Sequence, residues 1–192
     1  MAIFSCFDVE TTSLDARKGQ VIEIAIVKIT HEGELLDEWT TLVGPTPMDM
    51  GRPDIHGIKS SWLDKAPHFK QIAGDILERF DGSIPVAHNA PFDRSFIREE
   101  WNKAGLGELD LEAFDTLPLA KELGYPGKLI ELSDALGVKL SNAHEALADT
   151  HALAAVLIKL LELSKKQVET PVFQPSLFKP EASGLFEHRP HS

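Results

Sequence analysis

The chain has 192 residues, 43% of them hydrophobic, which suits one globular domain with a short additional segment. Its 19 basic and 30 acidic residues give a formal net charge of −11, which argues against a protein that coats DNA or RNA by positive charge alone. A nuclease is not excluded, because carboxylates that bind divalent cations count here as bare negative charge.

The start of the chain and its single cysteine indicate an intracellular protein. The segment MAIFSCFDVE has no basic stretch leading into a long apolar run. No uninterrupted apolar segment approaches the roughly 20 residues that a membrane helix needs. Cys6 has no second cysteine for an internal disulfide, and its apolar surroundings are typical of a buried thiol. We therefore expect a cytoplasmic protein with no membrane partner.

Three apolar segments near the start of the chain predict strands. They comprise residues 3–7, residues 21–30 and residues 35–43. Gly33 lies in a polar link between the last two, where it suits a hairpin turn. The first part of the sheet is therefore expected to contain three strands.

The next segments alternate between helix and strand. Apolar residues at intervals of three and four after Pro67 predict a helix: Phe69, Ile72, Ala73, Ile76, Leu77 and Phe80. Residues 84–87 predict a fourth strand. Asn89, as a helix cap, and Pro91, in a first turn, predict that another helix begins there and runs to about Gly105.

The last third of the chain predicts a short edge strand, two short helices and one long helix. The strand covers residues 113–115 and the short helices cover residues 117–123 and 129–136. The long helix has an apolar stripe that ends near Ser164: Leu153, Val156, Leu157, Leu160 and Leu161. Together these elements predict an α/β fold, a mixed sheet flanked by helices on both faces.

From residue 167 onward, recurrent prolines exclude a regular element: Pro171, Pro175, Pro180 and Pro190. We therefore divide the chain into a domain over residues 1–166 and a flexible tail over residues 167–192.

Four acidic residues on three predicted elements form the candidate site. Asp8 and Glu10 follow the first strand, where residues two apart point to the same side of a sheet. Asp93 lies in the first turn of a predicted helix, and Asp149 lies on the side of the last helix that carries its apolar stripe. Oxygen ligands of this kind are those that Mg²⁺ and Mn²⁺ prefer.

His144 precedes Asp149 by five positions and lies just before the last helix, which suits a base that leans over the acidic site. An alternative is a zinc site formed by His144, Asp149 and His151. His151, however, lies two positions past Asp149 and so points to a different side of a helix.

Five segments together resemble the DEDD-type 3′→5′ exonucleases that have a catalytic histidine, and in particular the proofreading (epsilon) subunit of bacterial DNA polymerase III. They are FDVETT at 7–12, IHGI at 55–58, HNAPFD at 88–93, DT at 115–116 and HEALAD at 144–149. The resemblance spans about residues 1–165 and preserves the order of the motifs.

This resemblance implies a ribonuclease-H-like fold and hydrolysis that releases nucleoside monophosphates from a 3′ end. It implies two Mg²⁺ or Mn²⁺ ions on Asp8, Glu10, Asp93 and Asp149, with Asp8 shared between them, and it makes His144 the base. For the substrate it implies contacts through Thr11, Ile55, His56 and Phe92, and it gives Asn89 the role of holding the Asp93 turn.

The substrate, by the same resemblance, is the 3′ end of single-stranded DNA, in proofreading or repair, and the domain could serve a DNA polymerase catalytic subunit. Two alternatives stay open at this point. One is an exonuclease acting on RNA or short oligoribonucleotides, and the other is a non-catalytic interaction module with the same fold.

The tail carries a second motif. Gln174, Leu177 and Phe178 resemble the short peptide by which bacterial replication and repair proteins bind the sliding clamp. Exposed Leu177 and Phe178 on a flexible segment would suit an apolar pocket on such a partner. The alternative is that the tail packs against the protein's own domain.

Overall fold

A computed structural model describes residues 2–140, 144–176 and 179–190. Within these residues the sheet has five strands: β1 (Ile3–Thr11), β2 (Val21–Thr30), β3 (Leu35–Leu42), β4 (Ile84–Ala87) and β5 (Phe114–Asp115). Their order is β3-β2-β1-β4-β5. Strand pairs β1–β2 and β2–β3 are antiparallel, whereas β4 is parallel to both β1 and β5. The predicted mixed α/β sheet is thereby confirmed.

Seven helices accompany this sheet within the described residues. They are α1 (Pro53–His56), α2 (Ser60–Leu63), α3 (Phe69–Phe80), α4 (Ala90–Lys103), α5 (Thr116–Glu122), α6 (Leu129–Ala135) and α7 (Ala146–Ser164). The sequence predicts α3 to α7 to within a few residues, but it does not predict the single-turn helices α1 and α2. No helix in these parts of the chain is both long enough and apolar enough to cross a membrane.

Side-chain alternation along β1 divides the core into two layers. Phe7 and Val9 pack with α3 and α4 on one face of the sheet. Phe4 and Cys6 point to the opposite face and pack against α7. Helices therefore cover both faces, as predicted, and the even-numbered positions of β1 are directed toward α7.

Strand β1 is four residues longer than the sequence predicts. Its pairing with β2 continues through Asp8↔Ala25 and Glu10↔Glu23, and the register shifts only between Glu10 and Thr11. The two acidic residues therefore lie within the strand, where the backbone hydrogen bonds of the ladder fix their positions.

Asn89 lies at the predicted start of α4, but the predicted side-chain cap is not formed. Asn89 precedes α4, but its side chain makes no capping hydrogen bond, and its backbone is left-handed with φ of 69°. Its own N–H instead donates to a carboxylate oxygen of Asp115 at 2.9 Å. Asn89 thus marks a sharp turn from β4 into α4, which is held by the neighbouring strand.

The described part of the tail contains no helix or strand, and it contacts the domain at several points. Phe173 is buried, and its ring lies 5.9 Å from that of Phe80. Farther along, the backbone and hydroxyl of Ser183 both donate to the Asp75 carboxylate at 2.8 Å. At Phe173 and Ser183, the tail therefore packs against its own domain, which is the alternative to a free tail that the sequence left open. The flexibility of the tail stays a prediction.

Candidate active site

Asp8 and Glu10 point toward α7 because they occupy even-numbered positions of β1. Both are half-buried. Asp149 lies in the first turn of α7 and is half-buried as well. The alternation of the strand and the packing of α7 on that face therefore direct these three carboxylates to one place.

Asp93 reaches the same region from α4. It is 4% exposed, and its Oδ1 accepts a hydrogen bond from the backbone N–H of Val9 at 3.2 Å. Val9 lies between Asp8 and Glu10 in sequence, so this bond ties the first turn of α4 to the acidic part of β1.

His144 is exposed and lies two residues before α7, with a left-handed backbone, φ 70°. Its N–H donates to Asp149 Oδ2 at 3.1 Å, while Asp149 Oδ1 is buried and has no hydrogen-bond partner among the described residues. Potential metal-binding atoms of Glu10, His144 and Asp149 all lie within 4.8 Å of one another.

Burial and mutual repulsion raise the pKa values of these carboxyl groups. Burial raises the pKa of Asp8 well above its usual range, and the negative charges of Asp93, Glu10 and Asp149 add to the shift. Burial, followed by the charge of Glu23, raises the pKa of Glu10 to about 8. Burial also raises the pKa of Asp93 to about 7, and it raises that of Asp149. The cluster is thus unfavourable when it is ionised and lacks a cation.

These properties fit divalent cations. The oxygen donors come from three elements, and the half-buried Asp149 has an oxygen with no hydrogen-bond partner in the described part of the chain. The negative charges also repel one another in the absence of a counter-charge. Asp8, Glu10, Asp93 and Asp149 are therefore suited to hold hard cations, and His144 lies within reach of the same place.

Two further charged residues at this site do not emerge from the sequence analysis. Glu23 lies on β2 opposite Glu10 and is 4% exposed. Arg189, from the tail, donates two hydrogen bonds to the Glu23 carboxylate, Nε to Oε1 at 2.8 Å and Nη2 to Oε2 at 2.7 Å. The signal for Glu23 was available, because it is the one acidic residue in the apolar run over residues 21–30.

A cavity of about 220 Å³ opens beside Glu10. Its walls include Thr11, Ile55, His56 and Phe92, the residues predicted to contact the terminal nucleotide. Ile55 is 44% exposed, so an apolar surface is available there.

Polar contacts already occupy both ring nitrogens of His56. Nε2 is 3.0 Å from the Met50 carbonyl oxygen, and Nδ1 accepts a hydrogen bond from the Ile58 N–H. His56 can therefore offer the cavity its carbon atoms rather than a free ring nitrogen.

Other histidine and tail residues lie outside this cluster. His151 Nε2 contacts Glu38 Oε2 at 2.8 Å on the surface, so it does not join His144 and Asp149 as the zinc alternative requires. Gln174 is exposed, and Leu177 and Phe178 lie outside the described residues.

Among known protein families, the exonuclease family (RNase_T) matches residues 5–157 of this chain. Among curated proteins, the PolC-type DNA polymerase III of Caldanaerobacter subterraneus subsp. tengcongensis is 36% identical over 165 residues. That match covers 83% of this chain but 12% of the polymerase. The chain thus spans only a small part of the polymerases that it resembles.

Solved structures of exonucleases also resemble this chain. Exonuclease X in complex with 5′-overhanging duplex DNA superposes with a TM-score of 0.68 at 27% identity, covering 90% of this chain and 98% of that one. E. coli exonuclease I in complex with a dT13 oligonucleotide superposes with a TM-score of 0.73 at 18% identity, covering 84% and 41%. These likenesses confirm the predicted ribonuclease-H-like fold.

Proposed function

Because the chain belongs to the exonuclease (RNase_T) family, we propose that it hydrolyses phosphodiester bonds stepwise from the 3′ end of single-stranded DNA and releases nucleoside monophosphates. The observation that carries this proposal is the cluster of Glu10, His144 and Asp149 within 4.8 Å, with Asp8 and Asp93 beside it. The cavity next to Glu10 gives the terminal nucleotide a place to bind.

In this proposal Asp8, Glu10, Asp93 and Asp149 hold two Mg²⁺ or Mn²⁺ ions. Such a pair, when bound, stabilises the negative charge that develops on the phosphate and makes water a better nucleophile. The side chains supply the fixed negative charge that attracts the cations, and α4, β1 and α7 hold these side chains in place before substrate arrives.

His144 is the proposed general base. Its ring is exposed and close to two of the carboxylates, so it can accept a proton from the attacking water and release it to solvent. Ile55, His56 and Phe92 line the cavity and would pack against the last sugar and base, and the backbone of Thr11 would support the terminal nucleotide. Asn89 would hold the turn into α4. No covalent nucleophile is required.

DNA is favoured as the substrate by exonuclease X, whose structure contains DNA and whose identity to this chain is 27%. The decisive measurement is digestion of DNA and RNA of one sequence, each labelled at the 5′ end, with Mg²⁺ or Mn²⁺. We expect a ladder of progressively shorter DNA strands, and none with Asp8→Ala. Faster shortening of RNA would favour the oligoribonucleotide alternative. Binding without any cleavage would favour a non-catalytic module.

The partners belong to the same proposal. The 36% identity to a polymerase supports proofreading or repair in the cytoplasm alongside a DNA polymerase catalytic subunit. Gln174, Leu177 and Phe178 would bind the bacterial sliding clamp. The exposed side chain of Gln174 leaves the start of that motif accessible.

A further inference from the structure

We infer that the tail completes the active site, with Arg189 as the positioning residue that fixes His144. This inference rests on the proposed function for the role of His144. The contacts that Arg189 makes do not depend on the proposed function.

Arg189 is held among three separate segments of the chain. Its side chain is 17% exposed and forms a two-pronged ion pair with Glu23, whose side chain is 5% exposed. Nη1 donates to the His56 carbonyl oxygen at 2.8 Å, and Nη2 also donates to the His144 carbonyl oxygen at 3.0 Å. The guanidinium group thereby joins β2, the end of α1 and the segment that carries His144.

The backbone of His144 is held from both sides by these contacts. Its N–H donates to Asp149, and its carbonyl oxygen accepts from Arg189. Glu23 Oε2, which pairs with Arg189, also accepts from the N–H of Ala146 at 3.1 Å. Since His144 has a left-handed backbone, which is unfavourable for a residue with a Cβ, these bonds supply the restraint that this conformation needs.

Arg189 is suited to this restraint rather than to binding substrate. Its planar fork has five N–H groups, and the contacts described above use four of them. A lysine could pair with Glu23 but could not reproduce this geometry, because an ammonium group is a point charge.

The tail reaches this position along a defined path. Its backbone passes so close to α3 that a Cβ on Gly74 would overlap the carbonyl oxygen of Glu181. It then pairs with the end of β3, where the Leu42 N–H donates to the Glu187 carbonyl oxygen at 2.7 Å. Two residues later Arg189 enters the site.

The test compares Arg189→Ala and Arg189→Lys with the unaltered protein in single-stranded DNA digestion. We expect Arg189→Ala to lower kcat about 10- to 100-fold with little change in KM, because a displaced catalytic group slows the reaction by about this factor. Arg189→Lys should recover thermal stability but not kcat. Full recovery by lysine would show that charge alone matters and would overturn the inference.

A second variant acts at a distance from the site. Gly74→Ala leaves Glu23 and Arg189 unchanged but blocks the path of the tail past α3. It should therefore lower kcat, as Arg189→Ala does. Arg79→Ala is the matched control, because Arg79 is 20% exposed, forms an ion pair with Asp37 and donates to a backbone carbonyl group outside the site. It should reduce stability and leave kcat unchanged.

The NMR signals of the eight histidine rings give a readout that does not depend on activity. His144, assigned through His144→Gln, should shift or broaden in Arg189→Ala and Gly74→Ala. An unmoved His144 signal, a rise in KM with unchanged kcat, or faster digestion by Arg189→Ala would each overturn the inference. If the unaltered protein cleaves nothing, the proposed function fails, and the His144 signal alone decides the positioning role.

Discussion

We expect the carboxylates of the candidate active site to oppose folding when no cation is present. Asp8 is half-buried next to four other acidic side chains, so its charge is unfavourable until it is neutralised. We expect Asp8→Ala to abolish hydrolysis while the melting temperature measured in a chelator holds or rises. A large fall in that melting temperature would mean that Asp8 serves the fold instead of the chemistry.

The raised pKa values also predict how stability depends on pH. The pKa of Glu10 is raised from 4.5 to about 8 in the folded state, so the folded protein binds more protons than the unfolded chain between these values. The free energy of unfolding without metal should therefore fall as pH rises from about 5 to about 8.

Thermal unfolding in a chelator across this pH range measures the effect, since about 1 kcal/mol corresponds to roughly 2 to 4 °C in a protein of this size. Glu10→Gln should flatten the decline, whereas Glu131→Gln on the surface of α6 removes a carboxylate outside the site and should not. A decline of equal slope in both variants would contradict the explanation.

Substitution of His144 should change the rate of hydrolysis rather than the binding of metal or DNA. Removal of a positioned base slows a reaction by about 10²- to 10⁴-fold. His144→Ala should therefore retain binding of Mn²⁺ and DNA but show a turnover reduced by about this factor in single-turnover digestion. His151→Ala, which removes a surface histidine of the same helix region, should retain full activity.

At the level of elements, the periodicity of apolar residues was sufficient to predict the strands, the major helices and the acidic positions on them. It failed where distant parts of the chain decide the outcome. Strand β1 extends through Asp8 and Glu10 because β2 pairs with them, and Asn89 adopts a left-handed turn because Asp115 binds its N–H. Such contacts leave no local periodic signal.

The pairing of Glu23 with Arg189 shows the same limit more clearly. An acidic residue in an apolar strand signals a buried partner, but nothing near Arg189 in the sequence distinguishes it from a solvated tail residue. Only the folded structure shows that the basic side chain paired with the Glu23 carboxylate is Arg189.

Substitution of Phe173 tests whether the tail contributes to the stability of the folded domain. Phe173 is 6% exposed and its ring contacts that of Phe80, and the backbone of Phe173 forms hydrogen bonds with Gly82 and Ser83. Phe173→Ala should reduce the free energy of unfolding in urea by about 3 kcal/mol, the lower end for a buried phenylalanine. Val172→Ala, at a residue that is 49% exposed, should change it far less. Equal effects would indicate that the tail does not add to the core.

For the whole molecule, a net charge of −11 predicts weak binding to DNA without cations, and recruitment by a clamp would offset this weakness. The bacterial sliding clamp should therefore bind the unaltered protein and lose affinity for a variant with both Leu177→Ala and Phe178→Ala. Titration by fluorescence anisotropy measures both affinities. The same affinity for both proteins would remove the clamp from the proposal and leave the nuclease activity in place.

Glu23 and Arg189 are separated by 166 positions in the chain. A ribosome adds roughly 5 to 20 residues per second, so residue 189 is made roughly 8 to 33 seconds after Glu23 but only roughly 2 to 9 seconds after His144, which it follows by 45 positions. Once Asp149 has been added, the nascent chain carries the four acidic residues and His144, but it lacks the Arg189 guanidinium group until synthesis reaches that residue. If Arg189 fixes His144 as we infer, the chain should gain full nuclease activity only after synthesis has passed Arg189.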